Sequence, residues 1–135
     1  MNFVSIRIIT ADAKRLVAFY ERISGIAATW YTDDFAELKT ASGTLAIAHE
    51  RTMKLFSADA ARPAENRSVI LELRVADVDA EYRRIAAGLT EVVQAPTTMP
   101  WGNRSLLFRD PDGNLVNFFT PQTEQARTRA DARAS

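Results

Sequence analysis

The feature that most constrains this chain is an internal duplication, in which one order of signals occurs twice with few identical letters. The first copy opens with FVSIRIITAD, where Val4, Ile6 and Ile8 alternate with Ser5, Arg7 and Ile9. The second opens with VILELRVAD, placing Val69, Leu71, Leu73 and Val75 on one face and Ile70, Glu72 and Arg74 on the other. A period of two is that of a strand with two different faces. Each strand ends in Ala-Asp, and Asp12 and Asp77 are suited to accept the free N–H groups of a helix's first turn.

Helical spacing follows in both copies. Leu16, Phe19, Tyr20 and Ile23 form one apolar stripe, and Val78, Tyr82, Ile85 and Leu89 form its counterpart. Gly25 and Gly88 suit a left-handed position at the helix ends. Strand patterns then return as IAATWY, FAELKT and GTLAIAH in the first copy, and as TEVVQ, RSLLFR and NLVNFF in the second. The turns before the last strands, Ala-Ser-Gly at 41–43 and Asp-Pro-Asp-Gly at 110–113, also correspond. Asp12 and Asp77 stand 65 residues apart and Gly43 and Gly113 stand 70 apart, so the second copy carries about five extra residues. APTTMPWG at 95–102 is the natural place for them, read as a loop.

The fold class expected from this pattern is α+β, with two tandem βαβββ modules forming curved antiparallel sheets around a shared cleft. Residues 1–121 read as one domain, with module one at about 3–50, a connection at 51–68 and module two at 69–121. Met53, Leu55 and Phe56 are apolar enough for the start of the connection to be docked. Residues 122–135 have no aromatic or large aliphatic side chain, and disorder is expected there, the alternative being a marginal helix that forms only against a partner.

Composition removes several chemistries. There is no cysteine, hence no disulfide, thiol nucleophile or thiolate-bound metal. Seventeen basic residues balance seventeen acidic ones, which argues against nucleic acid as a partner. The start of the chain lacks a basic, then long apolar, segment, and the expectation is a cytoplasmic protein with no membrane partner. One histidine gives little material for a catalytic triad, and the five glycines are too dispersed for a phosphate loop.

With FYERISG on the first helix and FRDPDGNLVNFFTP at the end of the second module, the chain resembles the vicinal oxygen chelate superfamily over about residues 3–121. That group holds glyoxalase I, extradiol dioxygenases, fosfomycin-inactivating enzymes and bleomycin-resistance proteins. The resemblance is greatest to the bleomycin-resistance-like branch. It implies metal ligands on the first and last strand of each module, at positions that fall here on Ser5, Ile47, Ile70 and Asn117. Three of the four offer no strong donor and Asn117 only a neutral amide, so no metal and no other cofactor is expected. A register slip of one in the first copy would admit Glu50, and His49 lies on the strand face of Ile47.

What remains for a cleft is chemically uneven. Ser5, Arg7 and Ile9, then Ile70, Glu72 and Arg74, then Leu115, Asn117 and Phe119 point inward by alternation. Charged groups at strand centres are wet, paired or ligand-facing. Arg7, Glu72, Arg74, Asn117 and Phe119 are therefore candidate ligand-binding residues, along with Trp101, which a Trp-Gly segment of similar placement in bleomycin-resistance-like members supports. The expected function is metal-free binding of a small aromatic or amphipathic molecule, by sequestration, in a homodimer. The alternatives are a glyoxalase-like lyase, dioxygenase or isomerase using a divalent metal or Glu72 as acid or base, and a dimeric scaffold without ligand.

Overall fold

A computed structural model describes residues 1–134. The chain divides into two compact units, Met1–Asn66 and Arg67–Ser135, each built on one four-stranded sheet. The first unit runs β1 (Ser5–Thr10), α1 (Ala13–Ser24), β2 (Thr29–Thr32), β3 (Phe35–Lys39) and β4 (Thr44–His49). The second runs β5 (Ile70–Arg74), α2 (Val78–Ile85), β6 (Val92–Thr98), β7 (Asn103–Arg109), β8 (Leu115–Pro121) and α3 (Glu124–Ala134). Strand order is β1-β4-β3-β2 in one sheet and β5-β8-β7-β6 in the other. In each sheet the last three strands are antiparallel, while the strand before the helix joins the last strand in parallel. The helix between them supplies the crossover that a parallel pair requires.

The two Ala-Asp boundaries act alike. Asp12 Oδ1 accepts from the Arg15 amide at 3.1 Å, and Asp77 Oδ1 accepts from the Asp79 and Ala80 amides, each at 3.1 Å. Gly25 caps α1 in the left-handed region, with φ 71°. Gly88 does not act in the same way: α2 ends at Ile85 and the chain continues through a 3-10 turn, Ala86–Gly88, in which that glycine is the last residue. In the first unit α1 packs against β3 and β4, where Tyr20, Leu16, Ile23, Ile47 and Ala36 are essentially sealed from solvent. In the second, α2 covers the face carrying Leu106, Phe108, Val116 and Phe118.

An ion pair ties α2 to β7, with Arg104 donating from Nε to Asp79 Oδ2 at 2.8 Å and from Nη2 to Asp79 Oδ1 at 3.0 Å. The hydrogen-bonded guanidinium holds the Asp79 carboxyl below its ordinary value. A carboxyl depressed in the folded state stabilises the fold above its unfolded pKa, about 3.9, and that contribution is lost as pH falls through the folded value. Denaturant unfolding of Asp79→Asn and the parent chain should therefore differ most near neutral pH and converge in strong acid. A gap that widened on acidification would assign the pair the wrong sign.

Three expectations from the sequence need correction. Residues 95–98 are strand, not loop: β6 is an edge strand whose pairing with β7 shifts register on both sides of Gln94, and the irregular edge accommodates Pro96. The extra residues leave only a tight turn, in which the Met99 amide donates to the Asn103 carbonyl at 2.7 Å and the Gly102 amide to the Met99 carbonyl at 3.0 Å. Residues 122–135, expected to be disordered, carry α3 over Glu124–Ala134, and Ser135 lies outside the described residues. Ala126 and Ala130, four apart on one face, are buried. Gly102 has φ 93°, and a Cβ there would drive into the Thr123 side chain at the entrance of α3. The connection is docked only in part. Met53 is half-buried in a 3-10 turn spanning Glu50–Leu55, whereas Leu55 and Phe56 are exposed.

Among the described residues, no helix is long and apolar enough to cross a membrane.

Candidate functional site

In each sheet one face is covered by its own helix and the other is free of it, so the strand registers decide which side chains share the second face. In the second unit Glu72 pairs with Asn117 and Asn117 with Leu107, Arg74 pairs with Phe119 and Phe119 with Ser105, and Ile70 pairs with Leu115 and Leu115 with Arg109. Directly paired residues project to the same side, so these nine side chains, with Asn103 at the end of β7, form one surface. At its centre Asn117 is only 8% exposed, and its Nδ2 donates to Glu72 Oε2 at 2.9 Å. Glu72 itself is exposed.

The amide is oriented by that bond, because only the nitrogen of an Asn side chain can donate to a carboxylate. Asn117 Oδ1 is thereby turned away, buried and without a partner. Two more buried polar atoms of the same surface are also unpaired, Asn103 Oδ1 and Arg109 Nε, although Arg109 Nη1 donates to the Gly113 carbonyl at 3.0 Å. Buried polar atoms are normally satisfied, and each exception asks for a cause. At the Phe119 end, Arg74 Nη1 donates to Asp131 Oδ1 of α3 at 2.7 Å, so this guanidinium is already engaged.

The register is set by the DPDGN connection. Asp110 is 2% exposed, and its carboxylate accepts from the Asp112 amide, the Asn114 amide and Asn114 Nδ2 at 2.8–2.9 Å. Gly113 takes φ 84°, which closes the turn and starts β8 with Leu115 opposite Arg109.

In the first unit the corresponding surface carries Ser5, Arg7 and Ile9 on β1, Thr44, Ala46 and Ala48 on β4, and Phe35, Glu37 and Lys39 on β3. The Arg7 guanidinium lies over two rings, 4.8 Å from the centre of Phe35 and 5.7 Å from that of Phe56. Lys39 Nζ donates to the Tyr31 hydroxyl at 2.6 Å, a bond that raises the lysine's pKa. A shallow pocket of about 370 Å³ lies beside the 3-10 turn, lined by His49, Arg51, Met53, Lys54, Asp59 and Arg62 among others, none of them an expected ligand-binding residue.

Of the residues singled out in the sequence, Glu72, Arg74, Asn117 and Phe119 come together on one surface of the second unit, with Ile70 beside them. Trp101 does not join them: it is 57% exposed at the β6–β7 turn, where its carbonyl accepts from Arg129 Nη2 of α3 at 2.6 Å. Arg7 belongs to the first unit. Ile47, taken as a metal-ligand position, is instead in the core against α1, on the opposite face of the sheet from Ser5, and the strand partner of Ile8. The connection between β3 and β4 spans 40–43 whereas that between β7 and β8 spans 110–114, so counting from the two glycines slips the first copy by one. Ala46, not Ile47, corresponds to Asn117. His49 shares the face of Ile47, and its Nδ1 accepts from the Arg51 amide at 3.1 Å, which caps the 3-10 turn. Glu50 opens that turn and is exposed. Sequence reasoning missed Asn103, Ser105, Leu107 and Arg109. Counting back from Asn117 across the DPDGN connection would have found them.

The metal that the resemblance implies would have to be held by the donors present. The corrected positions hold a hydroxyl (Ser5), a methyl (Ala46), a butyl group (Ile70) and an amide (Asn117). A divalent ion needs several strong donors converging at about 2.0–2.6 Å, and this set does not fit one. Among the described residues no three His, Asp or Glu side chains are grouped to hold a metal.

Two tandem βαβββ modules, each a mixed four-stranded sheet with the helix of its own crossover on one face, define an α+β repeat class whose opposite faces carry the candidate side chains. The model of the Glyoxalase/Bleomycin resistance protein/Dioxygenase superfamily matches residues 2–118, and the chain belongs to that superfamily. It is similar to YraH, an uncharacterized protein of Bacillus subtilis, with 24% identity over 125 residues that cover 88% of this chain and 98% of YraH. A protein of unknown function from Agrobacterium tumefaciens superposes with a TM-score of 0.78 at 26% identity, covering 89% of this chain and 94% of the other. A glyoxalase/bleomycin resistance protein/dioxygenase from Nocardioides shares the fold with a TM-score of 0.73 at 22% identity, covering 92% and 85%.

Proposed function

We propose that the protein binds a small amphipathic molecule on the open face of the second sheet, without a metal ion. The observation that carries this reading is that three polar atoms of that face, Asn103 Oδ1, Arg109 Nε and Asn117 Oδ1, are buried without partners along strands that also carry Leu107, Leu115 and Phe119, with Asn117 Oδ1 at the centre. A few polar groups set within an apolar surface are the composition of a small-molecule site. Leaving such atoms dry and unpaired costs about 1–3 kcal/mol each, and a ligand that supplies their partners recovers part of that cost. Sequestration needs no more than this. Arg7, stacked on Phe35 and Phe56, offers a second, aromatic-rich surface in the first unit.

The test is a thermal-shift screen of aromatic and amphipathic compounds on protein whose metal content has been measured. Less than a tenth of an equivalent of transition metal per chain is expected, together with ligand-induced stabilisation that survives chelator. About one metal per chain, required for that stabilisation, would overturn the metal-free part. The same reading places the chain in a homodimer, since Val92 and Val93 are exposed on the edge strand β6 and Trp30 and Tyr31 on β2, also an edge strand. Light scattering should give twice 15.0 kDa, and a concentration-independent monomer would contradict it.

A further inference from the structure

The open face of the second sheet has a chemical polarity that selects among ligands. Glu72 uses one carboxylate oxygen to accept from Asn117 Nδ2, and no described Lys or Arg pairs with the other. Asn117 Oδ1, held by the same bond, is a second acceptor, buried and unpartnered on a residue only 8% exposed. Asn103 Oδ1 is a third. Against these three acceptors, the cations of the same face have partners of their own: Arg74 is bonded to Asp131, and Arg109 gives Nη1 to the Gly113 carbonyl while its Nε is buried without a partner.

Resting on the ligand-binding reading above, we propose that this face selects a protonated amine, with Glu72 and Asn117 accepting its N–H bonds and the half-buried Leu107 and Leu115 holding its apolar body. Three features converge on that class. A primary ammonium carries three donors and no acceptor, the complement of two adjacent acceptors. Glu72 lacks a counter-ion, and a bound cation supplies one. A carboxylate or phosphate in the same place would set like charge against Glu72 and leave Asn117 Oδ1 unpaired, which opposes binding twice over. Asn117 is central because it is the buried partner: the carboxylate is wet and screened, whereas the amide oxygen is cut off from solvent, so a hydrogen bond there discriminates more strongly than the same bond at the surface.

The experiment uses three probes of matched shape, phenylbutylamine, phenylbutanol and phenylbutyrate, titrated by calorimetry into the full chain at neutral pH. The amine is expected to bind about tenfold or more tightly than the carboxylate, with the alcohol between them. The preference should narrow at high salt. Glu72→Gln, at an exposed position that leaves the melting temperature in place, should bring amine and alcohol to within about twofold. Equal or tighter binding of phenylbutyrate, or an amine preference that survives Glu72→Gln, would overturn the selectivity. In that case binding of any probe that Leu107→Ala weakens still upholds the ligand-binding reading. Failure of all three probes to bind would remove both.

Discussion

Replacing Asp110 with alanine is expected to destabilise the chain by about 3 kcal/mol or more, among the largest effects of any single substitution here. The carboxylate is buried and satisfies two backbone amides and one side-chain amide inside a five-residue connection. Its removal leaves the Asp112 amide, the Asn114 amide and Asn114 Nδ2 without that acceptor, in a turn whose Asp110 and Gly113 backbones are already committed to each other. The damage extends to function, because this turn sets Leu107 opposite Asn117 and so builds the candidate site. Urea unfolding measures the loss. Asp110→Asn, which keeps one oxygen, should fall between the two. A loss below about 1 kcal/mol would mean that the strands hold their register without the turn.

Phe118→Ala should cost about 3–5 kcal/mol, by lost transfer energy and an unfilled cavity. Phe118 lies on the inner strand β8, is 1% exposed, and meets Phe108 edge to face with ring centres 5.2 Å apart. It faces α2, away from Asn117, so Phe118→Leu, which refills most of the volume, should recover much of the stability. Trp101→Ala provides the contrast. An exposed side chain at a turn contributes roughly 0.5 kcal/mol or less, and guanidinium-induced unfolding of the two variants should differ accordingly.

Both modules were legible in the sequence because their signals are local. Asp12 and Asp77 cap helices through bonds two or three residues long, and β1 and β5 alternate cleanly enough to place Ser5, Arg7, Glu72 and Arg74 on their faces. The register of β4 was not legible. Ala46, Ile47 and Ala48 are all buried, so hydrophobicity does not say which of them faces the helix, and a connection one residue shorter than its counterpart moves the count. Helix α3 was illegible for a different reason. It docks through two alanines and the Arg74–Asp131 pair, a mode that leaves no amphipathic stripe of large residues to read. At the site, alternation and resemblance are enough to point to Glu72 and Asn117. Their mutual bond, and the oxygen it leaves stranded, depend on a pairing 45 residues apart in the chain.

The most direct test of a metal-free ligand site on the second sheet is the side-chain amide resonance of Asn117, followed by two-dimensional NMR in chelator-treated protein during titration with phenylbutylamine. The account predicts a saturable shift of that resonance, shared by the backbone amides of Glu72, Leu107 and Phe119. Shifts that appear only after a divalent metal is added, or that leave Asn117 unmoved while other parts of the chain respond, would contradict it.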